Sequence, residues 1–284
     1  MMAGLPLVRL FRPQQWVKNG FVLAPLLFSR SFLIAGDTLR AVAAAAIFCG
    51  AASAGYIVND ILDRESDRRH PLKSKRRPIA SGEVSVRTAA IIAGLLIPLL
   101  LVAAFVLSPP FAGAVAAYLA LSVAYSARLK RIPIIDLFTI AVGFVLRVWG
   151  GAVVIPVALS VWMFVTTLSL ALFLAATKRR QELLSSNIGT DFRLVLEHYT
   201  VRLMESYADM AAVATFVFYG LYIVSVRPQL AMTLPLVLFG MFRYRYVMEI
   251  SHADESPTDR LVRDPQMLAC VLVWAGLSAW LLQR

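Results

Sequence analysis

Between Asn59 and Gly82 the chain reads "NDILDRESDRRHPLKSKRRPIASG". Asn59, Asp63 and Asp67 recur at a spacing of four, with Asp60 beside the first. On a helix that spacing stacks side chains along one face. Like charges placed this way repel, so helix stability alone does not favour them. A divalent cation removes the penalty. Mg²⁺ is a hard ion that takes carboxylate oxygen and usually completes its shell with water and substrate phosphates. The residue types therefore point to metal-assisted phosphate chemistry. Asn59, Asp60, Asp63 and Asp67 are the candidate metal ligands, and the three aspartates are the candidate catalytic set. Arg68, Arg69, Lys73, Lys75, Arg76 and Arg77 follow directly and supply counter-charge for a pyrophosphate. His70 would add a hydrogen bond. Pro71 and Pro78 keep the connection from being one long helix, and "ASG" reads as a turn. Taken alone, the basic run has a second reading as a topology signal.

The elements that must hold this stretch are membrane spans. The chain of 284 residues is 59% hydrophobic, with a mean hydropathy of +0.72. Soluble domains are about 45–50% apolar. The excess lies in long uncharged runs, apolar all round, each near the roughly 20 residues a membrane helix needs. About nine spans are predicted, at Asn19–Ile34, Thr38–Leu62, Thr88–Leu107, Phe111–Ala127, Ile132–Ile155, Leu159–Thr177, Tyr207–Val226, Leu230–Val247 and Gln266–Leu282. Pro25 and Arg30 make the first the weakest. The fold class is an all-α integral membrane protein with one transmembrane domain over residues 1–284.

Charge sorts the connections. The net charge of +11 is read as topology rather than nucleic-acid binding. Lysine and arginine gather before span one and after spans two, four, six and eight, whereas the other connections hold little beyond Arg30, Arg40, Arg227 and Arg284. This places the N-terminus and the polar loops in the cytoplasm, and the C-terminus on the opposite side of the cell (inner) membrane. No removed signal peptide is expected at the start. Cys49 and Cys270 fall in apolar runs and read as buried thiols, with no disulfide and no metal site. Polar chemistry at one membrane surface favours an enzyme that joins a water-soluble to a lipid-soluble substrate. A transporter would more often place its machinery at the midplane, on interrupted helices.

Other polar residues stand near the same surface. Tyr125, Arg128, Lys130 and Arg131 close span four, and Lys130 is a candidate phosphate ligand. Arg147 lies well inside span five, where a charge is costly and usually functional. Asp136 is eleven residues earlier on the same face, about 16 Å away at helical rise. Both are expected to face a wet polar cavity. Lys18 follows "RPQQW" and is another candidate phosphate contact or a simple anchor.

The motif "NDILDRESDRRHPLKSKRRPIASG" resembles the first aspartate-rich motif, N-D-x-x-D-x-x-x-D, of the UbiA superfamily of membrane prenyltransferases. The spans and loops are similar along nearly the whole chain. The resemblance implies a helical bundle around a cavity open to the cytoplasm and laterally to lipid. Within the superfamily, "RPQQWVKN", "YSARLKRIPIIDLFTIAVGFVLRVWGGA", "KRRQELL" and "RYRYV…DRLVRDP" are similar to the branch that transfers phosphoribosyl groups. That branch implies Mg²⁺-dependent transfer from phosphoribosyl pyrophosphate to a polyprenyl phosphate, of a decaprenyl-phosphate-like kind, for cell-envelope assembly.

One departure chooses between branches. Prenyl transfer in this superfamily uses a second acidic motif, often D-x-x-x-D, after span six. This chain has "TKRRQELLSSNIGTDFR" there, with Lys178 and Arg179 beside a lone Glu182. These three are candidate phosphate-binding residues, and the cations fit a prenyl monophosphate acceptor. The alternatives are a UbiA-type enzyme moving a prenyl group from its diphosphate to an aromatic acceptor, and a non-catalytic lipid or solute transporter.

Overall fold

The apolar runs become helices because no other open structure satisfies its backbone inside a bilayer. The computed structural model describes residues 6–69, 73–185, 194–250 and 263–284, and no strand occurs among them. Short helices come first, α1 (Pro6–Phe11) and α2 (Ala24–Phe28). The long α3 (Ala35–Leu62) follows. Three short pieces then carry the charged stretch: α4 (Arg64–Arg69), α5 (Lys73–Arg76) and α6 (Pro78–Ser81). Next come α7 (Val86–Leu107), α8 (Pro109–Ala127), α9 (Ile135–Val154) and α10 (Val161–Ser185). The last three are α11 (Val201–Val226), α12 (Leu234–Ile250) and α13 (Pro265–Gln283).

Seven described helices, namely α3, α7, α8, α9, α10, α11 and α13, are long and apolar enough to cross a membrane. The stretch predicted as span one takes a different form. It is a 3₁₀ segment over Pro13–Leu23, the short α2, and a second 3₁₀ turn at Ser31–Leu33. Pro25 sits at the start of α2, where its missing N–H costs nothing. Arg30 ends the run in the left-handed region, at φ 65°. The stretch predicted as span eight is split between a 3₁₀ turn at Pro228–Thr233 and the 17-residue α12.

Local chemistry sets the helix starts. The Ser85 hydroxyl accepts the Thr88 N–H at 3.0 Å, Thr200 accepts that of Leu203 at 3.1 Å, and the Asp264 carboxylate accepts that of Met267 at 2.7 Å. Each supplies an acceptor that the first turn otherwise lacks. The outer face of α7 is apolar and exposed at Leu95, Leu99, Val102 and Val106, as a lipid-facing surface must be.

The core is organised around α9, which packs against α8, α10 and the broken first segment. Gly150 and Gly151 permit that approach. A Cβ on Gly150 would stand 2.6 Å from the Phe48 ring, and one on Gly151 would stand 1.9 Å from the Val22 carbonyl oxygen. Phe48 sits edge-on to Phe111 and Tyr118, with ring centroids 5.6 and 5.5 Å away. The broken first segment is thus clamped between α3 and α9, so its N-terminal end reaches the end of α3.

Candidate active site

α3 ends at Leu62 with Asp63 as its C-cap, and helical backbone bonds carry across the break into α4. The Asp63 N–H donates to the Asn59 carbonyl and the Asp67 N–H to the Asp63 carbonyl, both at 2.8 Å. Arg77 bridges Asp60 and Asp67 across this break, and Lys130 takes Asp63. Asp60 and Asp67 are buried, 1% and 2% exposed. Asp63 caps α3 and is partly open.

Cations close in from three directions. Arg77, at the head of α6, pairs with Asp67 and donates to Asp60 at 3.0 Å. Arg12 pairs with Asp60 and lies over the Tyr56 ring, 4.8 Å from its centroid. Lys130 pairs with Asp63. Asn59 Oδ1 accepts the Ser126 hydroxyl at 3.1 Å. Burial pushes the Arg77 guanidinium below its ordinary value, and Asp60 and Asp67 act to keep it charged. Arg12 is held in the left-handed region, at φ 52°. The following segment is pinned by Trp16 Nε1, which donates to Ser53 Oγ at 3.0 Å, and by Ser53, which donates to the Phe11 carbonyl at 2.8 Å.

This donor set fits a metal ion of a particular kind. No group of three or more described His, Cys, Asp and Glu side chains is placed to hold an ion. Of the four predicted metal ligands, Asp67 is engaged by Arg77 and Asn59 by Ser126. Asp60 Oδ2, however, is buried with no hydrogen-bond partner. A buried carboxylate oxygen left unpaired is rare and calls for a partner. One or two carboxylates plus substrate phosphate is the usual Mg²⁺ arrangement. Asp60 and the partly open Asp63 suit that arrangement.

A second polar cluster lies at the start of α9. Arg179, 1% exposed, donates through Nε to Asp136 Oδ2 at 2.8 Å and through a terminal nitrogen to the Tyr125 hydroxyl at 2.8 Å. It also pairs with Glu182. The Tyr199 hydroxyl donates to Asp136 Oδ1 at 2.6 Å and accepts the Ile134 N–H. Burial and the bond to Asp136 push the Tyr199 phenol up. Ile134 has φ 67°, an outlier for a β-branched residue. Such strain costs on the order of 1–3 kcal/mol, and here Tyr199 holds the strained N–H.

Arg147 forms a third cluster. It donates to Asn19 Oδ1, the Gly143 carbonyl and the Tyr118 hydroxyl at 2.8, 2.9 and 2.8 Å, and lies 4.6 Å from the Tyr118 ring centroid. The prediction that Arg147 and Asp136 both face a wet cavity needs correction. Asp136 is fully buried and Arg147 is 5% exposed, and each is enclosed by its own partners. The nearby glycine carbonyl, amide and phenol satisfy Arg147 where a span offers no water.

The remaining predicted site residues fall around these clusters. Arg68 and Arg76 are exposed, Arg68 standing 3.8 Å from Glu65. Lys178 stands 3.8 Å from Glu182 at the end of α10. Lys18 donates to Gln15 at 2.6 Å. Lys73 opens α5, and His70 lies outside the described residues. Sequence reasoning missed Arg12, Tyr56, Ser126 and Tyr199. Arg12 stood in "RPQQW" but read as topology; the other three are ordinary residues until the fold delivers them.

Comparison with known proteins fixes the family. The model of the UbiA prenyltransferase family matches residues 22–281. The chain belongs to the UbiA prenyltransferase family. A decaprenyl-phosphate phosphoribosyltransferase of Mycolicibacterium smegmatis is 33% identical over 287 residues, covering 95% of this chain and 90% of the relative. One of Corynebacterium glutamicum is 38% identical over 221 residues, covering 76% of this chain and 66% of its own length. The structure of a UbiA homologue from Archaeoglobus fulgidus bound to GPP and Mg²⁺ superposes with a TM-score of 0.74 at 19% identity, over 98% of this chain and 100% of that one. At that identity the likeness shows the fold. The chain is thus a multi-pass helical transferase of the UbiA superfamily, with relatives named as phosphoribosyltransferases.

Proposed function

We propose that this protein transfers the 5-phosphoribosyl group of phosphoribosyl pyrophosphate to a polyprenyl phosphate and releases pyrophosphate. The observation that carries the reading is the state of the described carboxylates around Arg179, one at the start of α9 and one at the end of α10. Asp136 and Glu182 are both bonded to Arg179, so they do not form a second acidic cluster for a prenyl diphosphate. The names of the relatives agree with this choice.

In this reading the acidic end of α3 receives the donor's pyrophosphate at the cytoplasmic surface. Asp60 and Asp63 would hold a divalent cation, which would neutralise charge on the leaving group. Arg77, Arg12 and Lys130 already border those carboxylates and would turn to phosphate oxygens as the site fills. Exposed Arg68 and Arg76 extend the positive field along the loop. The bond from the ribose anomeric carbon to the pyrophosphate oxygen breaks, and its electron pair leaves with pyrophosphate. The anomeric carbon becomes oxocarbenium-like, and a polyprenyl phosphate oxygen attacks it from the opposite face. That oxygen is already ionised, so no strong general base is needed. Positioning and charge stabilisation carry the catalysis. Lys178 orients phosphate at the mouth. Arg179, Asp136 and Tyr199 act as positioning residues that fix the ends of α9 and α10. The polyprenyl tail leaves sideways among apolar helices.

The test is an assay with the purified full chain, radiolabelled phosphoribosyl pyrophosphate, polyprenyl phosphate and Mg²⁺, with the organic phase counted. Label in the lipid phase that disappears in Asp63→Asn, with the variant still inserted in the membrane, supports the proposal. Full transfer by Asp63→Asn, or transfer only from a prenyl diphosphate, overturns it.

A further inference from the structure

The end of the bundle away from the acidic cluster holds a second polar site. α9 runs away from the chemistry, so Ala152 lies about 24 Å beyond Asp136 in its first turn at helical rise. There a cavity of about 250 Å³ opens between α2, the connection from α9 to α10, and the end of α11. Phe28, Val157 and Met163 give it apolar walls, and Ser29, Ser160, Tyr222 and Arg227 give it polar ones.

Arg227 makes the cavity more than a packing gap. Its guanidinium reaches the Tyr222 hydroxyl, yet its Nε is buried with no hydrogen-bond partner. Arg30, which directly follows the lining residue Ser29, also has a buried Nε without a partner. A buried charged donor left unpaired costs more than a neutral one. Ser160 Oγ accepts the Met163 N–H at 3.1 Å, leaving its O–H to donate. Arg227 and Ser160, both lining the cavity, bring donors suited to an anion; Arg30 stands next to the lining residue Ser29. No carboxylate lines the cavity.

The surroundings decide what carries the anion. Val161 at the start of α10, and Val224 and Val226 at the end of α11, are exposed apolar side chains beside this cavity. In a membrane protein such surface faces lipid. The volume is below the roughly 300–1,000 Å³ of sites that engulf a drug-sized ligand. It admits a headgroup and leaves the chains outside, along those valines. We infer that this cavity binds the phosphate of an anionic phospholipid headgroup, with Arg227 Nε and the Ser160 hydroxyl as donors. Arginine with a phosphate is a charge-assisted pairing that holds a headgroup in a defined orientation. The site lies at the other end of the bundle from the acidic cluster and does not depend on the reaction assigned there.

The experiment is native mass spectrometry of the full-length protein in detergent, titrated with phosphatidylglycerol, phosphatidylcholine or inorganic phosphate. Phosphatidylglycerol should be retained in preference to phosphatidylcholine. Arg227→Gln should weaken that retention about tenfold, the value of one charge-assisted hydrogen bond. Should Arg227→Gln fail to fold, Ala158→Trp, at an exposed lining position, should fill the cavity and displace the lipid. Equal retention of both lipids, retention unchanged in both variants, or binding of inorganic phosphate without the lipid would each overturn the inference. Because the readout is lipid mass, it stands or falls separately from transferase activity.

Discussion

Arg179→Met is the substitution that most sharply separates a positioning arginine from a phosphate ligand. Methionine keeps much of the stem's volume, so the change removes charge and donors rather than packing. In the structure Arg179 has two carboxylate partners, one of them the fully buried Asp136. Its removal leaves Asp136 with the Tyr199 hydroxyl alone among its described side-chain partners. Breaking one side of a buried ion pair costs about 3–5 kcal/mol. Glu182 is partly exposed, so water compensates it, and the cost is centred on Asp136. By the scaling of soluble domains, that loss lowers the melting midpoint on the order of 10 °C. Arg179→Met paired with Asp136→Asn should be less damaging than the sum of the two single changes, with a coupling of about 1–3 kcal/mol. Thermal unfolding in detergent of the wild type, both single variants and the double variant measures this. Strict additivity would refute the argument. So would an unchanged midpoint in Arg179→Met with a large loss of donor affinity, which would place Arg179 on substrate phosphate instead.

Other consequences follow from the same geometry. Chelation of divalent ions should abolish transfer while leaving the melting midpoint unchanged, because Arg12, Arg77 and Lys130 already neutralise the acidic cluster; a collapse of the midpoint in chelator would contradict this. Gly151→Ala should destabilise by about 1–3 kcal/mol or more, since its Cβ would meet the Val22 carbonyl at 1.9 Å; thermal unfolding reads it. Arg243 and the Met267 N–H hold the Asp264 carboxyl below its ordinary value. Its folded value is depressed, so its contribution is present above the ordinary carboxylate range and lost as pH falls below 3.8. Asp264→Asn should flatten that part of the acid-side stability profile, as measured by unfolding midpoints across acidic pH.

The sequence shows the helical membrane class and the acidic stack because both rest on local periodicity. Uncharged runs of bilayer length have few other solutions, and a fourfold spacing at a helix end needs no tertiary information. What it does not show depends on contacts between distant segments. Arg12 lies 48 positions from Asp60, and Tyr199 lies 63 from Asp136. Neither pairing has a local signature. Arg147 was legible as significant because a span holds few charges, but its neutral partners, Asn19, Gly143 and Tyr118, come from three separate elements. The broken first segment was legible as weak from Pro25 and Arg30. Its purpose becomes visible once Gly151 admits the Val22 carbonyl and brings Arg12 to the acidic cluster.

The arrangement around Asp60 explains why so many cations surround so few carboxylates. A bare stack of aspartates at the end of a membrane span would be self-repelling and costly to bury. Arg77 and Arg12 remove that cost while the donor is absent. Under the proposed function, a pyrophosphate entering the site would offer the same arginines more negative charge than the carboxylates do, so they would gain by turning toward it. The carboxylates freed in that exchange are then the groups that favour a divalent cation. Asp60 Oδ2, buried and unpaired in advance, is the oxygen the proposal assigns to the metal first. Metal and donor should therefore bind with positive coupling, each raising the affinity of the other by the same factor. Isothermal titration of Mg²⁺ with and without pyrophosphate measures that factor, and equal affinities in the two titrations would show that the arginines do not change partners.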